Sequence, residues 1–589
     1  PGPLLLTRGM WLSEELVSFY IYDNETQKRL NIEEANKIAI DFFPGFLRQR
    51  FTLDSIQITL ELYFIAQNEA VIKATVENNT NNTKTFTFGW EGWAYNLPTN
   101  IYKNEDGITI NLNDNDEKIK LTLPFEDMWN VRLEDLKYTF QSINPVSLSV
   151  SGKTSTYVLT THLLNKENNF KLIKKSSAII ERLISKNRIR WHGYINNIIS
   201  KLKHNFQSNE YRRIAIKCLL TLVNNWRCNL KSLKYDGLFP SYAVSYFNGF
   251  WAWDSWKHAV ALVLFAPDLA KQQILAMADK QNTLGMIPDV IYTDSTEDNW
   301  RNTKPPLANW AAYRVFDHTQ DTSFIANLYK KLKLYHHWWY KYRDNNNNNL
   351  CEYGSTDGSL VAAKWESGMD DAVRFDSSQI IENNELAWSI NQESVDLNSF
   401  LYTDKVFLSK LAGVLGKKPD SIKFHRESEK LKLQIQNLMY NPNVGYFFDL
   451  SMYDKKYVNI LGPEGWIPLW SGVATSQQAH NVKNIICDST HFATYIPFPT
   501  VAKSEKGFLS GYWRGPVWID QAYFAIKGLE NYGYYRNRDN FIKQLLNRLE
   551  GLKNSDKPIR ENYHPLTGKG LKVNHFSWSA ACILLLLCE

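Results

Sequence analysis

Nowhere in the 589 residues does an apolar run approach the roughly 18 residues that a membrane-spanning helix needs. The most apolar stretch, Ala580 to Leu587, has the length of a buried helix end. The first residues, Pro1-Gly2-Pro3-Leu4-Leu5-Leu6, lack the basic segment and small-residue cleavage pattern of a signal peptide. The chain is expected to be cytoplasmic, or periplasmic or secreted with a leader already removed, and to have no membrane span. Six cysteines are scattered without CxxC spacing, which argues against a zinc cluster and against a dense disulfide framework. An excess of one charge is missing too. With 67 basic and 61 acidic residues the net charge is only +6, too mild and dispersed for a phosphate-binding field, so nucleic acid is not expected as a partner. No Pro-rich linker divides the chain, and no repeat of about 34 or about 40 residues marks a solenoid.

What is abundant is aromatic. Twenty Trp, 31 Tyr and 30 Phe make up 14% of the chain. Sugar-binding clefts use such rings as flat apolar platforms, although large cores hold them too. From about Ser55 to His162 the pattern has period two: Ser55 to Leu62 alternates cleanly, and Val71–Val76 and Lys84–Phe88 are rich in β-formers. Asn-rich turns at 78–83 and 111–116 punctuate this region, which predicts an antiparallel β-sandwich. After about Phe170 the period changes. Glu210–Asn225 is amphipathic, a second segment runs from about Ser394 until Gly416 stops it, and a third follows Pro419-Asp420-Ser421 with Ser421 as its cap. The expected organisation is an N-terminal sandwich over residues 1–170 and a closed all-α toroid over 171–589, packed directly together.

Four clusters in the helical half exceed what amphipathic packing explains: Phe250 to Lys257 (FWAWDSWK), Trp365 to Asp371 (WESGMDD), Gly511 to Trp518 (GYWRGPVW) and Glu561 to Gly568 (ENYHPLTG). Most of them join charge to aromatic or glycine residues where a loop meets a helix, and functional groups project from rigid scaffolds at such places. Glycosidic cleavage needs one protonated carboxyl for the leaving oxygen, and one carboxylate to activate water or attack the anomeric carbon. Asp370 and Glu561 suit these roles, because apolar rings around a carboxyl raise its pKa. Spacing in the sequence does not choose between inversion and retention.

These four clusters, in this order, resemble those of glycoside hydrolase family 63, which includes processing α-glucosidase I and bacterial α-glucosidases. The resemblance covers about Tyr211 to the C-terminal end, with the sandwich matching more loosely. It implies an (α/α)6 barrel and inversion with Asp370 as general acid and Glu561 as general base, their carboxyls roughly 6.5–9.5 Å apart. It further implies that Asp254 holds the sugar in subsite −1, with Trp251 and Trp513 as walls, Arg514 in support and Lys304 as a further ligand. By likeness to the trehalase pattern Asp370, and not the adjacent Asp371, is the acid; Glu366 is expected to be structural, and His564 to hydrogen-bond rather than to ligate metal. The expected activity is that of an exo-acting inverting α-glucosidase on small oligosaccharides or glucosides, working as a monomer without an organic cofactor. A trehalase, or a non-catalytic carbohydrate-binding protein, is the alternative.

The segment from Asp344 to Glu352 places Asp344, Asn346, Asn348 and Glu352 at alternate positions with the Leu350 carbonyl between the last two. Alternation lets one loop present successive oxygens to a hard cation. The match is partial, and an Asn-rich surface turn is the alternative on spacing alone. Bacterial α-glucosidases that the chain resembles carry a calcium loop of this form, so a structural Ca²⁺ is expected.

Overall fold

A computed structural model describes the whole chain except residues 1–3, 6–9, 31, 36, 95–98, 105–106, 113–116, 126, 165–174 and 554–555. The chain divides into two compact units, Pro1–Gly193 and Tyr194–Glu589. The boundary expected at 170/171, and most of the turn expected at 111–116, lie outside the described residues.

The first unit is an antiparallel β-sandwich. Its larger sheet runs Thr99–Asn104, Gly107–Leu112, Glu117–Thr122, Lys153–Leu164, Glu69–Asn78, Ile56–Ala66, Phe46–Leu53, Lys37–Phe43 from edge to edge. The smaller runs Trp129–Glu134, Lys137–Ser142, Lys84–Trp93, Ser18–Asp23, Lys28–Leu30, and Val146–Leu148 also pairs with Lys84–Trp93. Ile58, Val76, Ile110 and Leu121 of one sheet share a single core with Phe19, Phe88, Trp90 and Phe140 of the other. The alternation of apolar side chains puts these residues on the inner faces. The strands of the two packed sheets begin at Ser18, within the residues 1–170 expected for the sandwich but ahead of about Ser55, where the period-two pattern becomes readable. The missed strand Lys37–Phe43 is an edge strand whose Ile38, Ile40 and Phe42 face outward, so it lacks the apolar-in, polar-out signature.

Fourteen α-helices follow among the described residues: α1 (Ser177–Lys201), within which the unit boundary falls, α2 (Asn209–Asn224), α3 (Ala252–Leu262), α4 (Pro267–Asp279), α5 (Ala308–Thr319), α6 (Thr322–Tyr342), α7 (Leu360–Glu366), α8 (Val395–Val414), α9 (Lys418–Leu438), α10 (Ile467–Ser471), α11 (Ser476–Ile486), α12 (Ile519–Asn531), α13 (Tyr535–Arg548) and α14 (Ser577–Cys588). Six of them touch in the closed order α3, α5, α8, α10, α12, α14 and back to α3. Outside this ring α2 packs on α14, α4 on α3, α6 on α5 and α8, α9 on α8, and α13 on α12. The helical unit is therefore an (α/α)6 barrel. Composition explains the two layers. Every residue of α3 is buried, and so is all of α14 except Cys588, because a helix in the inner ring is covered on all sides. In α9 only Phe424, Ser428, Leu431 and Ile435 are buried, and most of its remaining residues are polar.

Gly416 does follow α8 in the left-handed conformation, φ +69°, which favours glycine after a helix end. Ser421 does not cap α9. The helix begins earlier, at Lys418 with Pro419 in its first turn, and the Ser421 carbonyl accepts a 2.8 Å hydrogen bond from Ser409 Oγ.

One buried charge network fixes the segment after Asp370-Asp371 to the ring. Arg374 is 3% exposed and its guanidinium reaches Asp396 (2.7 Å), at the start of α8, and Asp449 (3.1 Å). Glu464, on the turn before α10, lies 4.0 Å from the same guanidinium. Burial pushes the Glu464 carboxyl up to about 8, against the pull of Arg374. Removing the arginine leaves buried carboxylates uncompensated, so Arg374→Ala is expected to destabilise the helical unit by about 3–5 kcal/mol, read as a lower thermal midpoint in calorimetry.

Candidate active site

The amino-terminal ends of α3, α12 and α14, with the segment ahead of α5, converge on a cavity of about 90 Å³. Into it project Trp251 and Asp254 at the start of α3, Lys304 ahead of α5, Asp370 just past α7, Tyr512 and Trp513 ahead of α12, and Glu561 from the short strand Arg560–Tyr563. Trp518, at the N-cap of α12, and Trp578, in the first turn of α14, complete the apolar wall. The Trp513 and Trp518 rings stack 3.9 Å apart with 4° between their planes, which holds both indoles rigid. The structure thus gathers six of the seven residues expected in the site.

Arg514 is the exception. It is not part of the cavity wall; its Nε donates to the Asp371 carbonyl (2.8 Å), and its guanidinium pairs with Asp376. It braces the frame of the site from outside.

Each carboxyl has a different environment. Burial pushes Asp370 up to about 7; Lys304 opposes this, while Asp289, Asp371 and Glu561 add to it. Asp254 also reaches about 7 through burial, opposed by Lys257 and Lys304, and its Oδ1 is buried with no hydrogen-bond partner in the protein. A sugar hydroxyl is the kind of donor such an oxygen lacks. Glu561 is raised as well, mainly by burial, but less freely. Tyr512 donates its phenolic hydrogen to Oε1 and Val573 donates its backbone N–H to Oε2 (3.1 Å), and both bonds favour the charged form. Lys304 donates to the Trp365 carbonyl and lies 3.4 Å from Asp289.

Two neighbouring acids are fully engaged elsewhere. Glu366 receives Arg343 through Nε (2.7 Å) and Nη2 (2.8 Å), and the backbone N–H groups of Thr303 and Gly354. Asp371 accepts the N–H groups of Tyr512 (2.9 Å) and Trp513 (2.6 Å). His564 Nδ1 accepts the Leu566 N–H locally.

Sequence reasoning passed over Tyr512, which bonds Glu561, and Lys257, whose Nζ lies 3.7 Å from the centroids of both Trp253 and Trp578 and pairs with Asp520 at 2.9 Å. Both stood inside the quoted clusters. Nothing in spacing distinguishes them from packed neighbours.

The Asp344–Glu352 loop lies apart from the cavity. Asp344 accepts the N–H groups of Asn348 (3.0 Å) and Asn349 (2.9 Å), and Glu352 Oε2 accepts that of Asn345 (3.0 Å). The amides of Asn346 (3.2 Å) and Asn348 (2.6 Å) donate to Glu393, which Lys455 also reaches at 2.5 Å. Glu352 Oε1 and Glu393 Oε2 are buried without partners. Among the described residues no three His, Cys, Asp or Glu side chains gather at metal-binding distance.

Residues 246–579 match the family described as mannosylglycerate hydrolase MGH1-like glycoside hydrolase domain. A mannosylglycerate hydrolase of Rubrobacter radiotolerans is 21% identical over 417 residues, 58% of this chain and 90% of its own length. That of one Thermus thermophilus strain is 23% identical over 402 residues, 57% of this chain and 93% of its own. The crystal structure of a GH63 mannosylglycerate hydrolase from another Thermus thermophilus strain, in complex with Tris and D-glycerate, superposes with a TM-score of 0.53 at 19% identity, covering 63% of this chain and 99% of that one. With the match spanning every lining residue of the cavity except Pro240, the chain belongs to the MGH1-like glycosidases of glycoside hydrolase family 63.

Proposed function

We propose that the chain is an inverting, exo-acting α-glycosidase in which Asp370 protonates the glycosidic oxygen and Glu561 activates water. The observation that carries this reading is that one Trp-walled cavity holds two carboxyls, both raised by burial, of which Glu561 alone accepts two hydrogen bonds that favour its charged form. Asp370 is driven to about 7 by burial, so near neutrality it still carries the proton an acid must deliver. Glu561 has two donors that favour its charged form, which a base requires. Asp254, with its unpartnered Oδ1, takes hydroxyls of the ring in subsite −1, between the indoles of Trp251 and Trp513. In the reaction Asp370 gives its proton to the departing oxygen as the anomeric bond breaks, water adds from the opposite face, and Glu561 takes the water's proton.

The relatives named above are mannosylglycerate hydrolases, and the cluster resemblance favours α-glucosides. We propose a terminal α-linked glucose or mannose on a short polar aglycone as the substrate class. A panel of mannosylglycerate, glucosylglycerate, α-1,2- and α-1,3-linked glucobioses and trehalose tests it. Hydrolysis of one of the first four is expected; activity on trehalose alone would make the chain a trehalase, the alternative reading, and activity on none counts against the class.

Asp370→Asn and Glu561→Gln are each expected to cut turnover by about 10³-fold or more with folding intact, since each removes a proton-transfer group and almost no volume. Near-native turnover by either variant would show that its role is misassigned. Product stereochemistry is expected to invert. NMR during the first minutes should see the β-anomer of the released sugar, and an α-anomer appearing first would overturn inversion.

We further propose a structural Ca²⁺ held by Asp344, Asn346, Asn348, the Leu350 carbonyl and Glu352, with the Glu393 carboxylate facing the loop. The unpartnered buried oxygens of Glu352 and Glu393 support the fit, because such oxygens are what a hard cation satisfies. Mutual repulsion from Glu393 and Asp344, added to burial, holds Glu352 well above its ordinary range, and a divalent ion would relieve this. The amides of Asn346 and Asn348 would turn to present oxygen instead of nitrogen. The ion's contribution is neutralising charge between helices and not chemistry at the anomeric carbon. Chelation is therefore expected to lower the thermal midpoint while leaving activity intact below it. Absence of calcium from the purified protein together with an unchanged midpoint would sink the proposal.

A further inference from the structure

We infer that Asp371, which takes no place in the cavity wall, is the positioning residue that holds acid and base in register: its carboxylate fixes the backbone of the tyrosine that grips Glu561, and its own peptide bond joins it to Asp370. The inference rests on the acid and base roles proposed above and adds a residue that those roles do not require.

Three successive residues of the loop ahead of α12 are fastened to this one aspartate. Tyr512 N–H donates to Oδ2 (2.9 Å), Trp513 N–H to Oδ1 (2.6 Å), and Arg514 Nε to the Asp371 carbonyl (2.8 Å). The approach is so close that it needs glycine: a Cβ on Gly511 would lie 2.4 Å from Asp371 Oδ2. From the anchored backbone the Tyr512 ring runs to Glu561 and donates to Oε1. The Tyr512 ring is itself set against Trp518 at 4.8 Å and 84°. A shift of Asp371 thus carries through a rigid aromatic lever to the base, and through one peptide unit to the acid. Misplacement of a reacting group by about 1 Å costs large factors in rate.

Asp371 also acts through its charge. Asp370 faces Lys304, Asp289, Asp371 and Glu561, and the negative Asp371 helps it keep its proton. Glu561 faces Tyr512, Lys572, Arg560, Tyr246 and Asp370, and the Tyr512 hydroxyl helps it stay ionised. The two halves predict different pH effects. Activity needs Asp370 protonated and Glu561 charged, so the profile of kcat/KM is a bell with Glu561 on the acid limb and Asp370 on the alkaline limb. Asparagine at 371 removes a negative charge beside Asp370, which then loses its proton at lower pH, and the alkaline limb moves down. Asparagine also offers one acceptor oxygen for two backbone donors. Tyr512 loosens, Glu561 loses a bond that favours its charged form, and the acid limb moves up. Tyr512→Phe removes only that bond, so it moves only the acid limb.

The experiment is kcat and KM against pH for the wild type, Asp371→Asn, Tyr512→Phe and Gly511→Ala, on the panel glycoside that is hydrolysed fastest. Asp371→Asn is expected to narrow the bell from both sides by about half a pH unit or more, and to lower kcat roughly 10- to 100-fold with KM within about threefold. Gly511→Ala should reproduce the acid-limb shift. Limbs unmoved in Asp371→Asn, or a loss confined to KM, would overturn the inference. If Asp371→Asn does not fold, an unmoved acid limb in Tyr512→Phe overturns it instead. Asp370→Asn and Glu561→Gln separate the two levels. If they are inactive while Asp371→Asn matches the wild type, the coupling fails and the acid–base reading stands; if either stays active, that reading fails first.

Discussion

A lysine charge buried among tryptophans underlies the floor of the site. Lys257 is 1% exposed, and water that would solvate an ammonium is replaced by Asp520 on one side and the faces of two indoles on the others. Desolvating such a charge costs several kcal/mol, and only close pairing with good geometry offsets it. The arrangement draws together α3, which carries Lys257 and Trp253, α12, which carries Asp520, and α14, which carries Trp578. Asp254, one helical turn before the lysine, shares its field. Without this cation Asp254 would have Lys304 alone to oppose burial and the nearby Asp520 and Asp289 carboxylates.

The same electrostatic logic separates the roles of three acids within one small volume. Asp254, Asp370 and Glu561 all feel burial as the largest push upward, so burial by itself assigns nothing. Hydrogen bonds and nearby lysines make the difference. Glu561 has a phenol and a backbone amide, Asp254 has Lys257 and Lys304, and Asp370 has Lys304 opposed by three carboxylates. A fold that brings helix starts to one point supplies this variety readily, because each loop contributes its own partners.

How much of this could be read from the sequence depended on whether an element's burial is one-sided. The strands Ile56–Ala66 and Glu69–Asn78 alternate buried with less buried residues, and α2 and α9 carry stripes, so they were legible; α8 was read from its apolar residues although 395–405 are all buried. The edge strand Lys37–Phe43 exposes its apolar side chains, and α14 buries every side, so period alone describes neither. In the site the four clusters marked the right neighbourhoods, because aromatic residues joined to charge are unusual there. They did not show that Arg514 braces from behind, that Tyr512 reaches Glu561, or that Glu393 approaches the 344–352 loop from 45 residues away from Asn348. Those facts depend on side-chain direction and on contacts across the ring, which have no local periodicity to betray them.

The closed ring has a consequence for how the molecule is made. The circuit is completed only when α14 packs against α3, and the two come from opposite ends of the unit's sequence. Until then α3 and α12 have apolar flanks with nothing to cover them, and the cavity lacks both Glu561 and the Trp578 wall. Assembly is thus governed by distant pairings, which pay their loop-closure entropy before they return any contact energy. A chain synthesised only as far as α13 would hold most of the scaffold without Glu561 or Trp578, and the inner surfaces that α14 covers would stay exposed.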